Sequence, residues 1–195
     1  MLRKVLSVLA IVGIMCSPLL AGVKPGDEAP EFQLFGVDYS YHALEDYADN
    51  EGVVVVFTCN HCPVAKRYED RLIEPGEEYQ ERGFQFLAVN PNPADMVEED
   101  GFPQMQERAE EKGFPYPYLY DETQEVARAY GAKVTPHIFV VEYQGDGEER
   151  KPVIRYQGAM DNRGDEPEYL ADALDAIPAD EDIAEERWFR GGAAC

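Results

Sequence analysis

Apolar and polar positions follow two different periods along this chain, and each change of period marks an element. Val53-Val54-Val55-Val56-Phe57-Thr58 is an unbroken, β-branched run of strand length, the pattern of a strand covered on both faces. Phe84 to Val89 repeats it. Between them Val64, Ala65, Tyr68 and Leu72 recur at three-to-four spacing, which predicts a helix from Pro63 with Lys66, Arg67, Glu69 and Asp70 facing water. Pro75-Gly76 is expected to kink or end that helix. Tyr118 to Tyr120 reads as a short strand. Gln104 to Lys112 and Glu122 to Tyr130 read as helices, closed by Gly113 and Gly131. Ile138 to Tyr143 and Val153 to Tyr156 flank Gly145-Asp146-Gly147 as an antiparallel hairpin. A last helix, Pro167 to Ile177, turns Leu170, Ala173, Leu174 and Ile177 inward. Gly26 to Leu34 reads as a loop entering a short edge strand, and Tyr41 to Asn50 as a short turn or helix. Asn90 to Pro103 is a Pro-rich, acidic connection, longer than a compact domain normally needs.

The two ends stand apart from this pattern. Met1-Leu2-Arg3-Lys4, the apolar stretch Val5 to Met15, and Ser17-Pro18-Leu19-Leu20-Ala21-Gly22 have the three parts of a secretory signal peptide, with cleavage expected after Ala21 or Gly22. An uncleaved leader would instead be a membrane anchor, the one route by which a membrane becomes a partner. The expected organisation is a leader over 1–22, one domain over 23–178, and an acidic tail over 179–195. That tail reads as mobile, with Trp188 and Phe189 available to dock. Net charge is -22, with six lysines against eleven arginines and no basic stripe, so nucleic acid is excluded as a partner. The acidity fits either a high-salt habitat or an ordinary exported surface. A monomer is expected.

Cys59-Asn60-His61-Cys62 stands at the junction between the central strand and its helix. Free backbone N–H groups and the positive end of the helix dipole stabilise a thiolate there. A thiolate with a second thiol in bonding reach can form and pass on a disulfide. Two other readings remain open. Such a pair is half of a zinc site, but no second pair exists: the other cysteines are Cys16, in the leader, and Cys195. It could also be an inert staple, although so short a loop constrains the unfolded chain little. Export suits disulfide chemistry. Farther on, Thr135-Pro136 precedes the hairpin, and an X-Pro bond takes the cis form at little cost. A trans proline at a strand start is the plainer alternative.

Strand, helix, strand, helix, hairpin and helix, with Cys-x-x-Cys opening the first long helix, resembles the thioredoxin fold. Ala29-Pro30-Glu31-Phe32-Gln33-Leu34, the Cys59-Asn60-His61-Cys62-Pro63 centre, Tyr118-Leu119-Tyr120-Asp121 and Thr135-Pro136-His137 resemble the redoxin branch of that superfamily. That branch holds alkyl hydroperoxide reductase and thiol-specific antioxidant proteins beside exported thiol–disulfide oxidoreductases. The likeness runs from about Val23 to Ile177. It implies an α/β fold with a central mixed sheet flanked by helices and an N-terminal extension. It also implies a thiol–disulfide oxidoreductase with an antioxidant side, no cofactor and no resident metal, exported to the periplasm or beyond. Its partners would be protein thiols and disulfides and an upstream redox partner.

Within that resemblance Cys59 is the nucleophile and the exposed, low-pKa member of the pair, Cys62 resolves, and Asn60, His61 and Pro63 tune the site. Thr135 and Pro136 bind substrate. His61, if protonated, would lower the thiol pKa, as in the Cys-Pro-His-Cys centre of the oxidant DsbA; it could equally point to solvent. Two departures matter. Val53 occupies the place of thioredoxin's proton-managing aspartate. Neither Gly52 and Val56 before Cys59, nor Val55 and Cys59 before Cys62, supply the proline and threonine of a peroxidatic centre. Disulfide exchange is therefore favoured over peroxidase chemistry, and a copper or zinc carrier using Cys59, His61, Cys62 and His137 is the remaining alternative. His42 has no evident partner, and Cys195 is an odd thiol of unassigned role. The direction of exchange, reductase or oxidase, leans towards reductase, although His61 argues the other way.

Overall fold

The structure is a computed structural model that describes residues 22–145, 147–162, 168–179, 181–183 and 186–187. The leader, Cys16, Pro167, Trp188, Phe189 and Cys195 lie outside the described residues. In chain order the elements are β1 (Gln33–Gly36), β2 (Tyr41–Ala43), β3 (Gly52–Phe57), α1 (Pro63–Glu81), β4 (Phe84–Asn90), α2 (Phe102–Lys112), β5 (Tyr118–Tyr120), α3 (Glu125–Tyr130), β6 (His137–Gln144), β7 (Lys151–Gly158), α4 (Tyr169–Ala176) and β8 (Glu186–Arg187). Single 3-10 turns lie at Leu44–Tyr47, Glu98–Asp100 and Gly147–Glu149.

The strands form one mixed sheet in the order β2-β1-β5-β4-β3-β6-β7-β8. Continuously apolar β3 lies near its middle, parallel to β4 and antiparallel to β6, with Phe57 opposite His137. All six residues of β3 are buried because both faces are covered. Val54 and Val56 pack with Tyr68, Leu72 and Tyr79 of α1, Met105 of α2 and Leu174 of α4. Val53, Val55 and Phe57 pack on the other face with Leu44, Tyr130 of α3 and Phe139. The ends of β3 and β4 thus fix the start of α1, where the cysteines stand.

Several expectations are corrected. β1 is not an edge strand: it lies between β2 and β5, and β2 forms the edge. The helix neither stops nor breaks at Pro75-Gly76 but continues to Glu81. A proline in a helix interior costs about 3 kcal/mol, and tertiary packing offsets it here. A Cβ on Gly76 would come 2.8 Å from the ring of Tyr116, so the small residue lets that ring seat against the helix. Glu69 does not face water. It is buried and accepts from Arg108 Nε at 3.0 Å, because α2 lies across that side of α1. The segment beyond Pro178 is not free along its whole length, since Glu186 and Arg187 pair in parallel with Gln157 and Gly158. Among the described residues no helix is long and apolar enough to cross a membrane.

Candidate functional site

Cys59 and Cys62 lie in the short loop between β3 and α1, both as free thiols and both 1% exposed. The expected exposure of Cys59 is therefore not met. Nor do both cysteines occupy the first turn of the helix. Cys62 is its N-cap and Pro63 its first residue, so Cys59 stands farther from the helix end than expected. The dipole acts within about the first turn and so favours Cys62 over Cys59. Burial pushes the Cys59 thiol up to about 12; the Thr135 hydroxyl pulls part of the way back and the Asp100 charge adds to the rise. The expectation of a low-pKa Cys59 is thereby overturned.

The Thr135–Pro136 bond is cis, and its loop lies directly over both sulfurs. Cys59 Sγ is 3.3 Å from Thr135 Oγ1, and the Cys62 thiol donates to the Thr135 carbonyl at 3.6 Å. The Thr135 carbonyl that sequence reasoning offered to substrate thus accepts from Cys62 in this state. Pro63 is exposed at the mouth and His61 is partly exposed.

Asp100, which the sequence did not single out, organises the loop. It is fully buried at the end of the Glu98–Asp100 turn, within the long connection after β4. Its Oδ1 accepts from the backbone N–H groups of Asn60 and His61 at 2.7 and 3.0 Å. Its Oδ2 meets His61 Nδ1 at 2.5 Å and accepts from Asn92 Nδ2 at 2.7 Å. Asn60 is held from two further directions: its amide donates to the Glu99 carbonyl at 2.9 Å, and its oxygen accepts from the Tyr118 hydroxyl at 3.0 Å. Asn90 Nδ2 in turn donates to the Asp100 carbonyl at 2.8 Å. A carboxylate is therefore present at the redox loop, but it arrives from the β4–α2 connection and not from β3. Val53 points into the core on the face of Val55 and Phe57.

Cys59, His61 and Asp100 offer donor atoms that all lie within 4.8 Å of one another. Neither Cys62 nor His137 joins such a group among the described residues, so the four-ligand set expected for a metal carrier is not assembled. Both Asp100 oxygens already serve four donors, which leaves a metal no lone pair without breaking that network. His137 packs its ring 4.3 Å from that of Phe139, and its Nδ1 accepts from the Lys133 N–H at 3.3 Å. His42 does have partners: its ring nitrogens lie 2.6 Å from the Tyr47 hydroxyl and 2.9 Å from Asp38.

Burial, and then the Lys133 charge, push His137 down from 6.5 to about 3. The fold thus disfavours the imidazolium that the unfolded chain forms. The stability this contributes is fully present above about pH 6.5 and is lost as pH falls towards 3. Urea unfolding is expected to lose up to about 1.4 kcal/mol per pH unit across that window from this group. His137→Leu should flatten the slope; an unchanged slope would refute the assignment.

The sequence model of the AhpC/TSA family matches residues 25–146. The thiol-disulfide oxidoreductase ResA of Geobacillus thermodenitrificans is 28% identical over 123 residues, which are 63% of this chain and 66% of that protein, slightly under two thirds of its length. Among solved structures, an uncharacterized conserved protein from Geobacillus kaustophilus is 35% identical, with TM-score 0.74 over 83% of this chain and 88% of that one. A hypothetical protein from Sinorhizobium meliloti 1021 is 25% identical, with TM-score 0.74 over 87% of this chain and 97% of that one.

Proposed function

Because this chain belongs to the AhpC/TSA family, we propose that it is a thiol–disulfide oxidoreductase in which Cys59 attacks and Cys62 resolves. One observation carries the reading: two free thiols sit together beneath a cis-proline loop that contacts both sulfurs. The ResA relatives, which carry this activity in their name, support it.

Cys59 is assigned the attack because the His61 ring, itself oriented by Asp100, stands beside it, so a proton leaving the buried thiol has an acceptor at hand. The Cys59 sulfur then attacks one sulfur of a substrate disulfide. The substrate S–S bond breaks, a Cys59–substrate mixed disulfide forms, and the first substrate thiolate leaves and takes up a proton. Cys62 next loses its proton and attacks Cys59 Sγ, releasing the second substrate thiol and closing the Cys59–Cys62 disulfide. Two electrons and two protons have passed to the substrate, and an upstream dithiol returns them. Asn60, His61 and Pro63 shape the loop, and Thr135 and Pro136 receive the substrate strand. The leader over 1–22 supports an exported, extracytoplasmic setting, where substrate disulfides persist.

Insulin reduction with dithiothreitol as donor tests this reading. Wild-type protein should accelerate it, Cys59→Ser should abolish the acceleration, and Cys62→Ser should trap a mixed disulfide visible by mass spectrometry. Full activity in Cys59→Ser would overturn it.

A further inference from the structure

The chain carries 39 acidic residues, yet beyond residue 26 its two longest stretches without one are 52–68 and 126–141. The fold brings these two stretches together at the redox centre, because Phe57 of β3 pairs with His137 of β6. Between them lies a cleft of about 170 Å³ lined by Phe57, Asn92, Ala127, Arg128, Lys133 and Thr135. Thr135 is the residue whose hydroxyl lies 3.3 Å from Cys59 Sγ, so one wall of the cleft touches the reacting sulfur. Its floor is apolar and its rim is cationic. Arg128 and Lys133 are both exposed, and the Arg128 guanidinium is held by neutral oxygens, the Thr123 carbonyl at 2.8 Å and Gln124 Oε1 at 2.9 Å. On α1, Lys66 and Arg67 stand exposed just past Cys62.

Among the carboxylates near the site, Asp121 offsets part of the Arg128 charge without lying on the rim. Asp100 is buried and bonded to the cysteine loop, and Asp121 is buried and accepts the amides of Val126 and Ala127 at the start of α3. Glu122 and Glu125 line a separate groove beside Glu31. Glu98 and Glu99 are exposed on the 98–100 turn, on the Asp100 side of the sulfurs, so the site has a positive flank and a negative one. A cleft this small holds a side chain or two, far below the few hundred cubic ångströms of a typical small-molecule site.

We infer that the Arg128–Lys133 cleft receives an acidic polypeptide segment next to the disulfide on which the Cys59–Cys62 pair acts. The inference rests on the thiol–disulfide reading above. A substrate protein as acidic as this one would be repelled by most of the surface. A local cationic rim beside the sulfur admits it in one orientation and raises the encounter rate, and long-range steering of this kind weakens as salt shortens the Debye length.

The test uses the reduced full chain and three disulfide-linked reporter peptides, identical except for two flanking residues that are Asp, Lys or Ser. At low ionic strength the Asp-flanked peptide should react at least tenfold faster than the Lys-flanked one, with the gap closing towards 1 M salt. Arg128→Glu and Lys133→Glu, made singly, should each cut that ratio at least threefold. Lys151→Glu makes the same charge change at the opposite end of β7 and should leave the ratio as it is. Equal rates for all three peptides would overturn the inference while the thiol–disulfide reading stands. No reaction with any peptide, nor with insulin, would overturn that reading itself. Glutathione disulfide reacting as fast as the Asp-flanked peptide, with the same response to Arg128→Glu, would also overturn the inference, since the cleft would then read a small anion and not a polypeptide.

Discussion

Asp100→Ala should abolish disulfide exchange and destabilise the protein by about 2–4 kcal/mol, the cost of leaving the buried amides of Asn60 and His61 without an acceptor. Loss of the His61 contact adds little stability of its own, because that ring is partly exposed. The effect on activity follows from geometry. Asn60 and His61 are the two residues between the cysteines, and Asp100 is bonded to both backbone amides and to the His61 ring. Without it the loop loses the restraint that holds Cys59 against Thr135. Asp100→Asn separates restraint from charge. Its amide oxygen can still accept the two backbone N–H groups, while its NH₂ would face the donating amide of Asn92. This variant should keep most of the stability and lose part of the activity. Urea denaturation and insulin reduction measure the two effects. Near-wild-type activity in the alanine variant would show that the loop holds its shape without the carboxylate.

The second large effect is the reduction potential, which should lie nearer that of thioredoxin, about −270 mV, than that of DsbA, about −120 mV. The span between them corresponds to about 7 kcal/mol for a two-electron couple, so the measurement is decisive. DsbA oxidises because its reduced form is stabilised, its thiolate pKa falling to about 3.5. Here the reduced form has no such support at Cys59. Burial and the Asp100 charge disfavour the thiolate, and His61 turns its Nδ1 to Asp100. At neutral pH the Cys59 thiol then stays uncharged, so no thiolate stabilisation at this sulfur drives the disulfide to open. Equilibration against dithiol buffers gives the value, and one above about −180 mV, the level of protein disulfide isomerase, would reject the reductase direction. Alkylation of Cys59 should likewise stay slow at pH 7 and quicken steadily as pH rises towards 12.

Local pattern carried much of this structure. The β-branched run at 53–57, the start of the helix behind it and the hairpin at 137–158 are written in periodicity and are where expected, while the helix runs on past its expected end. The cysteine pair and Thr135-Pro136 were legible because each is a short motif at a strand boundary. Asp100 was not, because its role is non-local. It stands about forty positions from the amides it caps, in a run with Glu98 and Glu99 that reads as a solvated acidic turn. Only the length of the Asn90–Pro103 connection hinted that this segment had work in the fold. Glu69 was misread for a related reason: helical spacing identifies the apolar stripe, but not a second helix lying across the polar side. At Pro75-Gly76 local propensity was overridden by tertiary packing, with Tyr116 seated against Gly76.

Among the described residues the sheet ends on one side in β2, three residues long, and on the other in β8, two residues long. A growing aggregate needs a strand edge with a run of open N–H and C=O groups, and neither rim supplies more than a few. Self-repulsion from a net charge of -22 acts in the same sense. A concentrated solution of the folded chain should consequently resist fibril seeding by its own edges. Its aggregation hazard lies in the Val53–Phe57 strand, which is sealed in the interior and becomes available only when the molecule unfolds.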